Sequence, residues 1–202
     1  MLARAGTIPC GRGWTFEPKL DGYRCLICTH ATFRARSRRG WDMTHLLPEF
    51  RRSVPQGVQL DGELVALAED GRPDFHRLSS RMLHGRTGIA LTLFVFDVLA
   101  VEGLSTTVQP YSERREILEQ LELEDQRVRL VATFEDGEAL YEAVCARGLE
   151  GVVAKRERDP YRPGEQSWVK TKNRATARFA EEREGIGRRV KVRAEPLANQ
   201  AH

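Results

Sequence analysis

The chain has 202 residues, 41% of them hydrophobic and 30% charged, which is enough apolar material for one buried core and excludes a fibrous or wholly unfolded chain. Its formal charge is +3, and the excess lies at one end: residues 173–202 carry seven Lys or Arg against four Glu, which leaves residues 1–172 neutral, so a nucleic-acid surface on the body has to be a local patch. No apolar run approaches the roughly 20 residues needed to span a bilayer, and no basic flank followed by an apolar stretch opens the chain, so no membrane association is expected and the expected location is the cytoplasm.

Residues 1–13 are rich in turn formers (Gly6, Pro9, Gly11, Gly13) and are expected to wrap the domain edge. Residues 14–38 read as strand, turn, strand, turn, strand. The first turn is Lys19-Leu20-Asp21-Gly22. Pro18 is barred from a helix interior and Asp-Gly favours turns, so Lys19 is expected to project from a loop between two strands. A lysine amine held unprotonated is a competent nucleophile toward phosphorus; a solvated hairpin turn is the blander account of the same four residues. The third strand, Phe33-Arg34-Ala35-Arg36-Ser37-Arg38, alternates, placing Arg34, Arg36 and Arg38 on one face that either grips phosphates or is an ordinary solvated edge. Of the four cysteines (10, 25, 28 and 145), Cys25 and Cys28 have zinc or redox spacing with His30 behind them. A structural zinc site wants a second ligand pair, so the preferred reading is small apolar side chains in a strand.

Residues 44–52 begin a short helix near Pro48. In the apolar run 59–67, Asp61-Gly62-Glu63 puts two carboxylates where burial is costly unless a cation, a ribose hydroxyl or a metal meets them. The apolar residues beyond imply that the strand continues through them. Asp74 is expected to cap a helix carrying Phe75, Leu78 and Met82 into the core, and residues 89–99 form the most strand-like segment, ending in Phe96, Asp97, Val98 and Leu99. An aspartate there is again hard to explain by packing alone. Helices follow at 112–122, capped by Ser112 with Ile117, Leu118 and Leu121 inward, and at 135–147, capped near Thr133 and ended by Gly148. In Glu150-Gly151-Val152-Val153-Ala154-Lys155, strand alternation sends Glu150 and Lys155 to opposite faces unless the strand bulges. In Trp168-Val169-Lys170-Thr171-Lys172 it puts Lys170 and Lys172 side by side, where they repel unless an anion such as a nucleotide phosphate lies between them.

Taken in order, Lys19-Leu20-Asp21-Gly22, Ser37-Arg38-Arg39-Gly40, Asp61-Gly62-Glu63, Phe94-Val95-Phe96-Asp97 and the two lysine-bearing strands resemble the motifs of covalent nucleotidyltransferases. The likeness is greatest to the adenylation domain of ATP-dependent DNA ligases, and among these to the ligases of bacterial end-joining systems. It spans residues 1–172, leaving 173–202 as a charged, basic tail. The resemblance implies an α+β fold in which two antiparallel β-sheets form a nucleotide cleft with helices outside. It implies that Lys19 attacks the α-phosphate of ATP to give lysyl-AMP, and that AMP then passes to a DNA 5′-phosphate. Glu17 would read the adenine amine, Glu63 would hold the ribose or a metal, Phe96 would stack on adenine, and Glu150 would be metal-linked. Lys155, Lys170 and Lys172 would neutralise phosphates, with Lys170 and Lys172 counted beside Lys19 as catalytic. Arg24 would contact nucleotide, and Arg34, Arg36 and Arg38 would contact DNA. Mg2+ or Mn2+ is implied as the ion that screens the triphosphate.

The family's ligases carry a further OB-type domain after the Trp168 strand, and residues 173–202 are too few for one. They read as a charged helix over 175–184 and a basic stretch over 188–193, either a DNA-phosphate contact or, preferred, a solvated tail. The expected partners are therefore nicked or broken duplex DNA and a separate OB-fold or end-joining protein, with the chain itself a monomer. A non-sealing module that binds nucleotide or DNA ends, and an RNA ligase or capping-type nucleotidyltransferase, are the alternative functions.

Overall fold

Short runs of alternating apolar residues make strands the commonest regular element of this chain. The computed structural model describes residues 1–123 and 125–176; the helix expected at 175–184 and the basic stretch at 188–193 lie outside the described residues, apart from the first two positions of that helix. In order the elements are β1 (Ala3–Ala5), β2 (Trp14–Lys19), β3 (Tyr23–Cys28), β4 (Arg34–Ser37), β5 (Val58–Ala66), α1 (Phe75–His84), β6 (Leu91–Val101), β7 (Leu104–Ser105), α2 (Tyr111–Gln120), β8 (Val128–Leu130), α3 (Gly137–Ala146), β9 (Gly151–Arg156) and β10 (Trp168–Lys172). Among the described residues no helix is long and apolar enough to cross a membrane.

The strands build two sheets. The first has the order β1-β10-β9-β2; the second has β4-β3-β5-β6-β7, with β8 beside the other half of β6. Pairing is antiparallel except for β1 with β10 and β6 with β8. The largest core lies beneath the second sheet, where Ile27, Leu60, Leu64, Leu93 and Val95 meet Met43, Leu47 and Phe50 of the 43–52 segment and Leu78 of α1. Burying each such side chain contributes about 1.5–3 kcal/mol. A second core packs Leu140 and Val144 of α3 on Phe16, Val152, Ala154 and Val169 of the first sheet. A small third cluster, Met1, Leu99, Tyr161 and Trp168, joins the sheets at one end of the cleft between them.

Several expected boundaries shift for local reasons. The 44–52 helix is two 3-10 turns, Thr44–Leu46 and Pro48–Arg52, separated by Leu47, whose φ of −125° and ψ of 42° lie outside helical values. Helix α2 starts at Tyr111 behind Pro110, ahead of Ser112, because proline's fixed φ already suits a helix entry. Helix α3 is capped by Asp136 in place of Thr133, the carboxylate accepting from the N–H groups of Glu138 at 3.1 Å and Ala139 at 3.0 Å. Asp74 caps α1 as expected, accepting from Arg77 N–H at 2.9 Å. Strand β5 runs unbroken through Asp61-Gly62-Glu63, with register shifts on either side of Leu60-Asp61. Cys25 and Cys28, three apart in β3, project from opposite faces of the strand and cannot chelate one ion.

The Lys-Asp-Gly segment is not a hairpin. Strand β2 pairs with β9 in the first sheet, whereas β3 pairs with β4 and β5 in the second, so Leu20-Asp21-Gly22 carries the chain from one sheet to the other. Lys19 is accordingly the last residue of a strand, and no loop projects it. Gly22 does not adopt a left-handed turn conformation; it is required because a Cβ there would lie 2.3 Å from the Leu64 carbonyl oxygen. Pro18 sits in β2 at the edge of its sheet, where a missing N–H costs no ladder bond.

Candidate active site

Register decides which side chains meet. Lys19 lies opposite Gly151, Glu17 opposite Val153, Lys170 opposite Val153 and Lys172 opposite Gly151. Paired residues share a face, so Glu17, Lys19, Lys155, Lys170, Lys172 and Trp168 all stand on the side of the first sheet that looks at the second. The second sheet answers with Arg24, Glu63 and Phe96, and the two sides enclose a cleft of about 830 Å³. Of the expected site residues, Glu17, Lys19, Arg24, Arg38, Glu63, Phe96, Lys155 and Lys170 line this cleft.

At one end, the Glu150 carboxylate, 9% exposed, takes Lys19 Nζ at 2.6 Å on Oε2 and Lys172 Nζ at 3.4 Å on Oε1. Glu150 precedes β9, outside the strand alternation, which frees its side chain to reach the lysines. The chain approaches through Gly151 at φ 150°, where a Cβ would fall 2.2 Å from the Thr171 carbonyl oxygen, so only glycine allows β9 and β10 to close this tightly. Glu63 lies nearby on the other sheet. Burial pushes its carboxyl up to about 8, against the opposing pull of Lys19 and Arg24, with Asp61 and Glu150 adding to the rise.

At the other end, Lys155 is 1% exposed and donates to Glu17 Oε1 at 2.7 Å and to the Phe96 carbonyl at 2.9 Å. Its ammonium lies 4.6 Å from the Phe96 ring centre and 4.5 Å from that of Trp168. Burial lowers the Lys155 pKa, while Glu17 and Asp97 pull the other way. Tyr111 also donates to Glu17 Oε1, at 2.6 Å, and burial beside Glu17 raises the Tyr111 phenol well above its ordinary value, so it remains a donor. Opposite β9, Lys19 and Lys155 are offset by four residues, about 13 Å along the strand. Lys155 therefore belongs to the Glu17 end of the cleft and is not part of a lysine cluster around Lys19.

Arg24 is largely committed to protein. It makes a two-pronged pair with Asp61 (2.9 and 2.5 Å) and donates to the Met1 carbonyl and to the Tyr161 hydroxyl at 3.2 Å, which occupies four of its five N–H groups. Tyr161 in turn donates to Asp61 at 2.7 Å. Asp97 faces away from the cleft into a fully buried pair with Arg114 of α2 (2.7 and 3.0 Å), and Arg114 also ties down the carbonyls of Gln109 and Asp159. The three expected DNA-contacting arginines divide: Arg34 and Arg36 are exposed on β4, whereas Arg38 lies past the strand end, in a turn with Arg39 at the cleft mouth beside Trp41. Phe75, expected in the core, lines the cleft as well.

Tyr111, Arg114 and Tyr161 were not singled out from the sequence. The first two had a signal, since with Leu118 they recur at helical spacing on the inner face of α2. Tyr161 sits in an irregular loop and had none.

A lysine at the end of one sheet faces a second sheet across the cleft, the arrangement expected of a nucleotidyltransferase. Residues 4–172 match the family described as the ATP dependent DNA ligase domain, and the chain belongs to that family. The multifunctional non-homologous end joining protein LigD of Mycolicibacterium smegmatis is 36% identical over 181 residues, 85% of this chain and 23% of that protein. Among solved structures, the ligase domain of Mycobacterium tuberculosis LigD is 34% identical with a TM-score of 0.73, covering 85% of this chain and 59% of that one. A mycobacterial DNA ligase D complexed with ATP is 33% identical with a TM-score of 0.72, covering 85% of this chain and 58% of that one. The chain thus spans about a quarter of the length of the LigD proteins it matches.

Proposed function

We propose that this chain is the adenylyltransferase part of an ATP-dependent DNA ligase: Lys19 takes AMP from ATP, and AMP then passes to the 5′-phosphate of nicked or broken duplex DNA for sealing. The observation that carries this reading is the Lys19 ammonium at the cleft, 2.6 Å from Glu150 Oε2 and sharing that carboxylate with Lys172. In the first step Lys19 Nζ forms a bond to the α-phosphorus as the P–O bond to pyrophosphate breaks. The ammonium must first lose a proton, and Glu150 Oε2 is the acceptor within reach. Lys170 and Lys172 offset charge on the phosphates, Glu63 meets the ribose or a metal, and Phe96 stacks on the base. Lys155 acts at the base end, through Glu17. Arg38 at the mouth, with Arg34 and Arg36 beyond it, offers the local basic patch that a neutral body requires for DNA. The location that accords with this role is the cytoplasm.

Glu63 and Glu150 suit a divalent ion of the Mg2+ kind, which binds through one or two carboxylates plus substrate phosphates and water; among the described residues no larger His, Cys, Asp and Glu cluster would hold one without substrate. When bound, the ion supplies charge neutralisation at the phosphates.

Intact mass after incubation with ATP and Mg2+ tests the reading. A gain of one AMP, reversed by pyrophosphate, absent in Lys19→Ala and transferable to a nicked duplex, is the expected result. An adduct on Lys19→Ala protein would overturn the assignment of the nucleophile.

A further inference from the structure

Glu17 is 3% exposed, and both hydrogen bonds it receives from side chains fall on one oxygen, Oε1: from Lys155 at 2.7 Å and from Tyr111 at 2.6 Å. Among the described residues nothing donates to Oε2, and Glu17 lines the cleft next to Phe96. The holders are themselves fixed. Lys155 is anchored to the Phe96 carbonyl and boxed by the rings of Phe96, Tyr111 and Trp168 within 4.8 Å, while Tyr111 is 2% exposed at the start of α2. A carboxylate has only acceptors to offer. One oxygen is saturated by a buried cation and a phenol, and the other is left as an acceptor at the end of the cleft away from Lys19.

Resting on the nucleotidyl-transfer reading above, we propose that Lys155 and Tyr111 are positioning residues that hold Glu17 as an obligate hydrogen-bond acceptor, and so set a preference for 6-amino over 6-keto purine nucleotides. A 6-amino group donates to Oε2. A 6-keto oxygen would face a second acceptor where the site offers no donor, and sites built to hydrogen-bond one partner reject such a mismatch strongly. Lys155 matters beyond packing because its ammonium, fixed on Oε1 beside the Tyr111 hydroxyl, holds the carboxylate in the orientation that leaves Oε2 as the acceptor for the base.

Rates of covalent adduct formation with ATP and with ITP, which differ at the 6-position alone, test this on the wild-type chain, Tyr111→Phe and Lys155→Met, each checked for folding by its unfolding midpoint. The wild type is expected to favour ATP by about 100-fold or more in rate over KM. Tyr111→Phe, which keeps the cation and the ring, should raise KM for ATP about 3- to 10-fold with little change in the maximal rate. Lys155→Met, which removes one of the two groups that fix Oε1, should lower the ATP-to-ITP ratio at least about 10-fold by weakening ATP. If Lys155→Met does not fold, Glu17→Gln is used instead; its amide both donates and accepts, so the same fall is expected. Wild-type ratios retained in Tyr111→Phe and in whichever of the other two folds would overturn the inference while leaving lysine adenylation standing. A wild type that forms no adduct with either nucleotide would remove both.

Discussion

Replacing Arg114 by methionine would take away the guanidinium that neutralises Asp97 inside the protein. Both side chains are 0% exposed, so the remaining carboxylate has no route to water. Breaking a buried pair from one side costs about 3–5 kcal/mol. The bonds from Arg114 to the carbonyls of Gln109 and Asp159 add roughly 1 kcal/mol each. For a domain of this size every kcal/mol moves the melting temperature by about 2–4 °C, so Arg114→Met should melt at least about 6 °C lower. Urea unfolding followed by circular dichroism gives the free energy directly. The double change Asp97→Leu/Arg114→Met leaves no buried charge and should recover most of the loss, with a coupling of at least about 2 kcal/mol. A single-variant cost under about 1 kcal/mol, or strictly additive losses, would refute the pair as the reason Asp97 stands in β6. Because Asp97 does not line the cleft, folded Asp97→Asn protein should still accept AMP on Lys19.

The Glu63 carboxyl gives a pH signature. Its folded-state pKa of about 8 lies above the unfolded value near 4.5, so the folded chain holds an extra proton between those values and stability should fall as pH rises through that window. The full shift corresponds to at most about 5 kcal/mol, and water reaching the cleft side reduces it to about 1–2 kcal/mol. Glu63→Gln should flatten the slope in urea titrations at pH 5, 7 and 9, and an unchanged slope would show that burial of Glu63 is not its source. Gly151→Ala puts a methyl 2.2 Å from the Thr171 carbonyl oxygen and should cost about 2–4 kcal/mol and slow adduct formation by displacing Glu150 and Lys172. Gly40→Ala, at φ 84° with open space around it, should cost only about 1 kcal/mol, so equal losses in the two variants would contradict the close approach of β9 and β10.

Strand alternation was enough to place Lys170 beside Lys172 and to carry β5 through its two carboxylates, because a period of two survives whatever the sheet does next. It could not say that Lys19 and Arg24, five positions apart, stand on different sheets. Asp-Gly reads as turn chemistry in one dimension, whereas Gly22 is dictated by the Leu64 carbonyl, which is distant in sequence. Lys155 was recognisable as a conspicuous lysine, but its partner Glu17 lies 138 residues away and the third member, Tyr111, is carried by a helix with no chemical marking of its own. Packing alone does not explain Asp97 in β6; the explanation is Arg114, a cation on the inner face of a helix whose apolar neighbours carry the stronger periodic signal. Spacing reveals local faces, and long-range pairing decides what those faces meet.

The passage of the chain from one sheet to the other immediately after Lys19 gives the centre two mechanical halves. The nucleophile, Glu150 and Lys172 ride on the first sheet, and Glu63 rides on the second. The fasteners between the sheets, Lys155 to the Phe96 carbonyl and Arg24 to the Met1 carbonyl, sit together toward the Trp168 end. The link Leu20-Asp21-Gly22 also ties the sheets beside Lys19 and limits their parting, but any breathing of the cleft would alter the reach from Glu63 to Lys19 while the Lys19–Glu150 contact travelled intact. On the proposed reading, the polyphosphate of a bound nucleotide would be the strut that sets the gape and would bring the two carboxylates to their working separation.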